Sequence, residues 1–231
     1  MPMIRDRILD IRERIEAVCQ KLGRDSQEIV LVGITKYADA PTIKDAIDAG
    51  LQDIGENRVQ DAGKKFRILD SLNVKAKRHL VGHLQTNKIK QAVELFDIIQ
   101  SVDSLKLAQE LDKQGQILNK IVNILVEVNT SGEEQKFGVS PSEVIPLIEQ
   151  ILDLKRVNVL GLMTIASQTA DQNVVRKNFR ELKNLFDRVK KDFKGQERLS
   201  MRHLSMGMSN DFEIAIEEGS NMVRVGSAIF T

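Results

Sequence analysis

The sequence predicts a (β/α)8 barrel, an α/β fold of one domain over residues 1–231 with an extra helix at its N-terminal end. Three observations carry that expectation. Short apolar runs alternate with amphipathic helical patterns along the whole chain, which implies parallel strands joined by right-handed crossovers. Eight strand-like runs and seven intervening helical stretches can be counted, and eight such units close most naturally into a barrel, with an open doubly wound sheet as the other arrangement. The 231 residues suit one barrel better than two small domains, and a hydrophobic fraction of 42% can fill its core.

The N-terminal stretch comes first. Ile4, Ile8, Ile11, Ile15, Val18 and Leu22 recur at spacings of three and four, with charges between them, and Gly23 ends the pattern. Strands are then expected at 29–35, 52–55, 79–81, 98–101, 123–128, 158–163, 203–205 and 222–225, with helices at 41–49, 58–69, 88–95, 104–118, 141–152, 173–193 and 211–217 between them. After the eighth strand the chain reads GSAIFT, with no room expected for a further helix, so the N-terminal helix is expected to fill the vacant place in the outer ring. No Gly/Ser/Pro-rich break marks a domain boundary, and the polar stretch 129–140 reads as a rim loop.

Composition excludes several functions. Lys and Arg number 34 against 33 Asp and Glu, a balance that leaves no basic excess for nucleic acid. Cys19 is the single cysteine and lies beside the apolar stripe of the first helix, which suits a buried structural thiol in a reducing, cytoplasmic setting. No apolar run approaches the roughly 18 residues of a membrane span, and the charged N-terminus lacks a secretory apolar region. His79, His83 and His203 are the only histidines, and no helix carries two of them at metal-ligand spacing. His79 and His203 are expected to be neutral, hydrogen-bonded residues of the barrel. No G-x-S-x-G elbow or nucleotide-binding P-loop is present.

Barrel active sites lie at the C-terminal ends of the strands. Three features stand out there. Lys36 follows the first strand, where alternation places it with Val30, Val32 and Ile34. Arg224 alternates with Val223 and Val225, so if the valines pack under the helices the guanidinium points into the barrel; the bland alternatives are a surface arginine at the strand end or an internal ion pair with Glu127 or Glu56. Gly/Ser clusters, SMGMSND (205–211) and VGSA (225–228), follow strands seven and eight, where barrels often hold a phosphate. A lysine desolvated or set near a cation such as Arg224 can act as an amine nucleophile toward a carbonyl. Together the three describe a site for a phosphorylated aldehyde.

The stretches LVGITKYADAPTIKDAIDAGLQDIGENRVQDA, HLVGHLQTNK, QSVDS, NTSGEEQKFGV, GLMTIA and LSMGMSNDFEIAIEEGSNMVRVGSAIF resemble the pyridoxal-phosphate homeostasis protein family, in order from about residue 4 to the C-terminus. The last is the most specific, being long and nearly contiguous. The resemblance implies a fold-type III barrel like the N-terminal domain of alanine racemase, with pyridoxal 5'-phosphate (PLP) as cofactor. It implies that Lys36 forms the covalent aldimine, that Arg224 faces the pyridine nitrogen, that Ser205, Gly207, Gly226 and Ser227 hold the phosphate, and that Asn57 and Met163 line the ring's surroundings. Tyr37 and Ser227 stand where relatives often carry threonine. An arginine at the pyridine nitrogen makes the ring a poorer electron sink, and the chain stops where the racemase's second domain, with its opposing tyrosine, begins. The expected function is therefore intracellular vitamin B6 homeostasis: buffering and delivery of PLP to PLP-dependent apoenzymes with little or no turnover. An amino-acid racemase and a cofactor-free Schiff-base aldolase are the enzyme alternatives. A monomer is expected, since no exposed apolar stripe is evident.

Overall fold

The computed structural model describes residues 3–231; residues 1 and 2, the head of the predicted domain and of the predicted leaderless N-terminus, lie outside the described residues. Eight strands run β1 (Val30–Ile34), β2 (Asp53–Glu56), β3 (Lys77–Leu80), β4 (Ile98–Val102), β5 (Val122–Glu127), β6 (Val157–Met163), β7 (Leu199–Ser205) and β8 (Met222–Val225). They pair in parallel in chain order, and β1 pairs with β8, matching Val32 to Arg224, so the sheet closes into a barrel. The helices are α1 (Ile4–Leu22), α2 (Ala40–Asp48), α3 (Val59–Ser71), α4 (Ile89–Leu95), α5 (Leu105–Ile117), α6 (Val144–Leu152), α7 (Gln172–Asp192), α8 (Phe212–Glu217) and α9 (Ser227–Phe230).

Local chemistry explains the helix boundaries. Asp39 accepts from the Thr42 amide ahead of α2, Ser104 from Leu107 ahead of α5, and Asp171 from Asn173 ahead of α7, each satisfying an orphan first-turn donor. Gly23 closes α1 in the left-handed region at φ 64°, as its place after the apolar stripe predicts. Most of the stripe is buried: Ile8, Ile11, Ile15 and Val18 face the core, with Cys19 beside them, while Ile4 is half-buried and Leu22, at the helix end, is exposed. α1 packs against α8, α9 and α2, over the seam between β8 and β1. Arg14 pairs with Glu213 at 3.0 Å, and Arg24 donates to the carbonyls of Ile216 and Ser220.

One expectation fails here. The end of the chain does hold a helix, the single turn α9, because Gly226 turns the backbone after β8 and Ile229 is buried beneath α1. The vacant place is therefore filled by α1 and α9 together.

The apolar core has two layers. The larger lies between strands and helices and includes Phe66, Phe179, Phe212, Val223 and Val225. The smaller fills the barrel with Val32, Ile98, Leu125, Met163 and Met222, flanked by Val30, Ile34 and Leu160. Strand alternation thus divides β8 as its sequence predicts, valines outward and Met222 and Arg224 inward. No helix among the described residues is long and apolar enough to cross a membrane.

Candidate functional site

A cleft of 580 Å³ opens at the C-terminal mouth of the barrel. Ile34, Lys36 and Tyr37 line it from the end of β1, Ile165–Ala170 from the loop after β6, Met208–Asp211 from the loop after β7, and Arg224, Gly226 and Ser227 from β8 and α9. A second concavity, of 600 Å³, runs along α7 from Asn173 to Arg188. Its arginines Arg176, Arg180 and Arg188 are paired with Glu217, Glu218 and Asp192.

Lys36 is set by a locked anchor. Thr35 donates its amide to Gly55 O at 2.9 Å and its hydroxyl to Glu56 Oε1 at 2.6 Å. From α3, Lys65 donates both to Thr35 O at 2.6 Å and to the buried Glu56 carboxylate at 2.7 Å. The chain thus leaves β1 in one defined direction. Lys36 itself is exposed rather than desolvated, with Nζ 4.8 Å from the centroid of the Tyr37 ring. Of the two settings expected for a reactive lysine, desolvation is therefore not met here, because the buried contacts of the strand end are made by Thr35.

Arg224 is 4% exposed. Its Nη1 donates to Ser205 Oγ at 2.7 Å and its Nη2 to Thr164 O at 2.9 Å, so neither Glu127 nor Glu56 supplies a direct ion pair. Desolvation lowers the guanidinium to about 10, opposed by the more distant charges of Glu127 and Asp211, and it remains a cation at neutral pH. Glu127, inward at the end of β5, is pushed up to about 7, first by burial and then by Asp103, with Arg224 opposing.

Gly226 and Ser227 form the turn beneath the mouth. A Cβ on Gly226 would sit 3.2 Å from Ile34 Cβ, so the glycine lets the turn close against β1. The Gly226 amide donates to Ser209 Oγ at 3.3 Å, and the amides of Ser227 and Ala228 precede the first intrahelical bond of α9. The primary amine, the guanidinium, the two serine hydroxyls and these amides are the donor set that an aldehyde bearing a pyridine nitrogen and a phosphate requires, so the residues fit PLP.

Four further expected site residues are not among those that line the cleft. Ser205 is fully buried behind Arg224, its one hydroxyl proton given to Gln100 Oε1 at 2.6 Å, so it supports the arginine and offers the cleft no donor. Gly207 is buried at φ 95°, a Cβ there would meet Ala215 Cβ at 2.6 Å, and its carbonyl accepts from the Arg224 amide. Its glycine character serves packing and the turn. Met163 is fully buried in the inner apolar layer. Asn57 is exposed, with its carbonyl against Gly82, outside the cleft lining. The His203 expectation is half right. Burial lowers the ring to about 4, keeping it neutral, yet Nδ1 has no hydrogen-bond partner among the described residues.

The residues missed were Ser209 and Lys136. Ser209 sits inside the quoted SMGMSND cluster, so the cluster was the available signal. Lys136 reaches the cleft by donating to Ala166 O at 3.0 Å, a contact between loops 30 residues apart that spacing does not announce.

Comparison with known proteins places these features in context. Residues 10–231 match the family model described as "Alanine racemase, N-terminal domain". The chain is 39% identical to the pyridoxal phosphate homeostasis protein of Aquifex aeolicus over 97% of its own length and 96% of that protein's. PipY of Synechococcus elongatus, solved with PLP bound, superposes with a TM-score of 0.84 at 30% identity, covering 99% of this chain and all of that one. The alanine racemase of Clostridium difficile shares the fold at 15% identity and a TM-score of 0.77, this chain spanning 56% of it.

Proposed function

Because the chain belongs to the pyridoxal phosphate homeostasis protein family, we propose that it holds PLP at the barrel mouth and buffers or delivers it to PLP-dependent apoenzymes, as a single-domain, cytoplasmic monomer with little or no catalytic turnover. The observation that carries this reading is the convergence of Lys36, Arg224, Gly226 and Ser227 on one cleft. PLP supplies an aldehyde that condenses with a primary amine and a phosphate that takes backbone and hydroxyl donors.

The chain's own residues divide the work. Lys36 provides the amine and holds the cofactor covalently. Gly226 and Ser227, with Ser209 beside them, hold the phosphate. Arg224 has only donors, so it can give a hydrogen bond to the pyridine nitrogen but cannot leave a proton on it without setting two cations together. Carbanion chemistry is then weakly supported. Racemisation also needs two bases on opposite faces, and Lys36 and Tyr37 are neighbours on one loop.

Absorbance of the purified protein with added PLP, followed by borohydride reduction and peptide mapping, tests the reading. The expected result is one reduced adduct on Lys36 that Lys36→Ala abolishes with the fold intact. An adduct unchanged in Lys36→Ala overturns the site. Multiple turnovers of Cα deuterium exchange on a common amino acid overturn the non-catalytic assignment.

A further inference from the structure

A line of polar side chains crosses the barrel interior behind the cleft. Arg224 Nη1 on β8 donates to Ser205 Oγ on β7 at 2.7 Å. Ser205 Oγ donates to Gln100 Oε1 on β4 at 2.6 Å. Gln100 Nε2 faces His79 Nδ1 on β3 at 2.9 Å, and His79 Nε2 faces Asp53 Oδ1 on β2 at 2.9 Å. Ser205, Gln100 and His79 have no solvent exposure.

The direction of every proton in this line is determined. An arginine can only donate, so the Ser205 oxygen accepts there and its single hydrogen must go on to Gln100. The Gln100 amide then presents its oxygen to Ser205 and its nitrogen to His79. A third contact agrees, because Nε2 also lies 3.3 Å from the Met222 sulfur, an acceptor that would repel the amide oxygen. His79 is therefore an acceptor at Nδ1 and a donor at Nε2, which meets a carboxylate oxygen of Asp53.

Such a line is a costly way to fill a barrel. Side chains of the size of Leu or Met would occupy the same volume without desolvating an amide, an imidazole and a guanidinium. What it achieves is at its head, where Arg224 alone reaches the cleft. With Nη1 held by Ser205 and Nη2 by Thr164 O, the guanidinium plane has one orientation.

We propose that Gln100 and His79 are positioning residues for the cofactor: the relay from Asp53 through His79, Gln100 and Ser205 fixes the plane of Arg224 and aims its remaining N–H groups at the ring nitrogen of a bound PLP. The proposal rests on the PLP reading for its effect on binding, while the polarity of the relay is a property of the cofactor-free protein.

Titration of PLP into the wild type, Gln100→Met, Arg224→Gln and the double variant tests it, read as dissociation constant and as position of the bound absorbance band. Gln100→Met keeps the volume and removes the amide. The expected result is binding weakened about tenfold, the worth of one misdirected charged hydrogen bond, with a shifted band. In the Arg224→Gln background the same change should alter binding less than about twofold, since coupled residues are non-additive. Equal effects in both backgrounds, or none in either, overturn the proposal. Should Gln100→Met fail to fold, Ser205→Ala cuts the same line with a smaller change and carries the same expectation. A wild type that binds no PLP overturns the cofactor reading instead, and with it the binding effect. Separately, nitrogen-15 imidazole spectra of the cofactor-free protein should show His79 protonated at Nε2 and bare at Nδ1; the opposite tautomer overturns the relay.

Discussion

Arg224 and Ser205 meet at 2.7 Å inside the barrel, and this contact reassigns the serine from the cleft to the arginine's support. Ser205→Ala is then expected to leave phosphate binding in place while loosening the guanidinium. Competition of inorganic phosphate against PLP distinguishes the two roles: phosphate affinity should change less than about twofold, within the scatter of a residue that makes no contact with the anion. A loss comparable to that for PLP would return Ser205 to the phosphate site.

The pair of half-buried Lys65 and buried Glu56 anchors the carbonyl before Lys36. Lys65→Met strands a carboxylate that is 1% exposed and should cost about 3 kcal/mol in urea unfolding. Adding Glu56→Gln should recover part of that loss, because the stranded charge is then gone.

Gly207 combines φ 95° with a Cβ position 2.6 Å from Ala215 Cβ and 2.9 Å from Phe212 Cα. Gly207→Ala should therefore destabilise by roughly 2–3 kcal/mol, from left-handed strain and overpacking together. Gly132→Ala, with a positive φ but open space around it, should cost about 1 kcal/mol. A melting series on the two variants measures the difference.

Glu127 gives a pH dependence of known sign. Its folded value, about 7, lies above the unfolded one, so the native state binds the extra proton and the wild type loses stability as pH rises from about 4.5 to 7. Glu127→Gln removes this slope. Relative to that variant, the wild type should weaken by roughly 2–3 kcal/mol between pH 5 and pH 8 in denaturant titrations of the cofactor-free protein.

His203 works in the opposite direction. Its folded value, about 4, lies below the usual histidine range, so the unfolded chain takes up the proton first and stability is lost as pH falls from about 6.5 to 4. His203→Gln should flatten that acid limb by about 2 kcal/mol, with little change at pH 8.

The sequence by itself determined the order of elements and made a closed barrel and an inward Arg224 the expected arrangement; the β1–β8 pairing and the contacts of Arg224 then decided both. Those expectations rest on period, which is local: alternation along β8 separates Val223 and Val225 from Met222 and Arg224 whatever the rest of the chain does. The family was legible because its late block, 204–230, is nearly contiguous. The tertiary structure alone decided which polar groups meet. Residues 53, 79, 100, 205 and 224 share one hydrogen-bonded line only because the closed sheet brings five strands to a common interior at a particular stagger, and no spacing in the chain encodes that stagger. The same closure buries Ser205, moves Met163 into the inner core, leaves Lys36 at an exposed rim, and brings Lys136 to the cleft from the loop after the neighbouring strand β5.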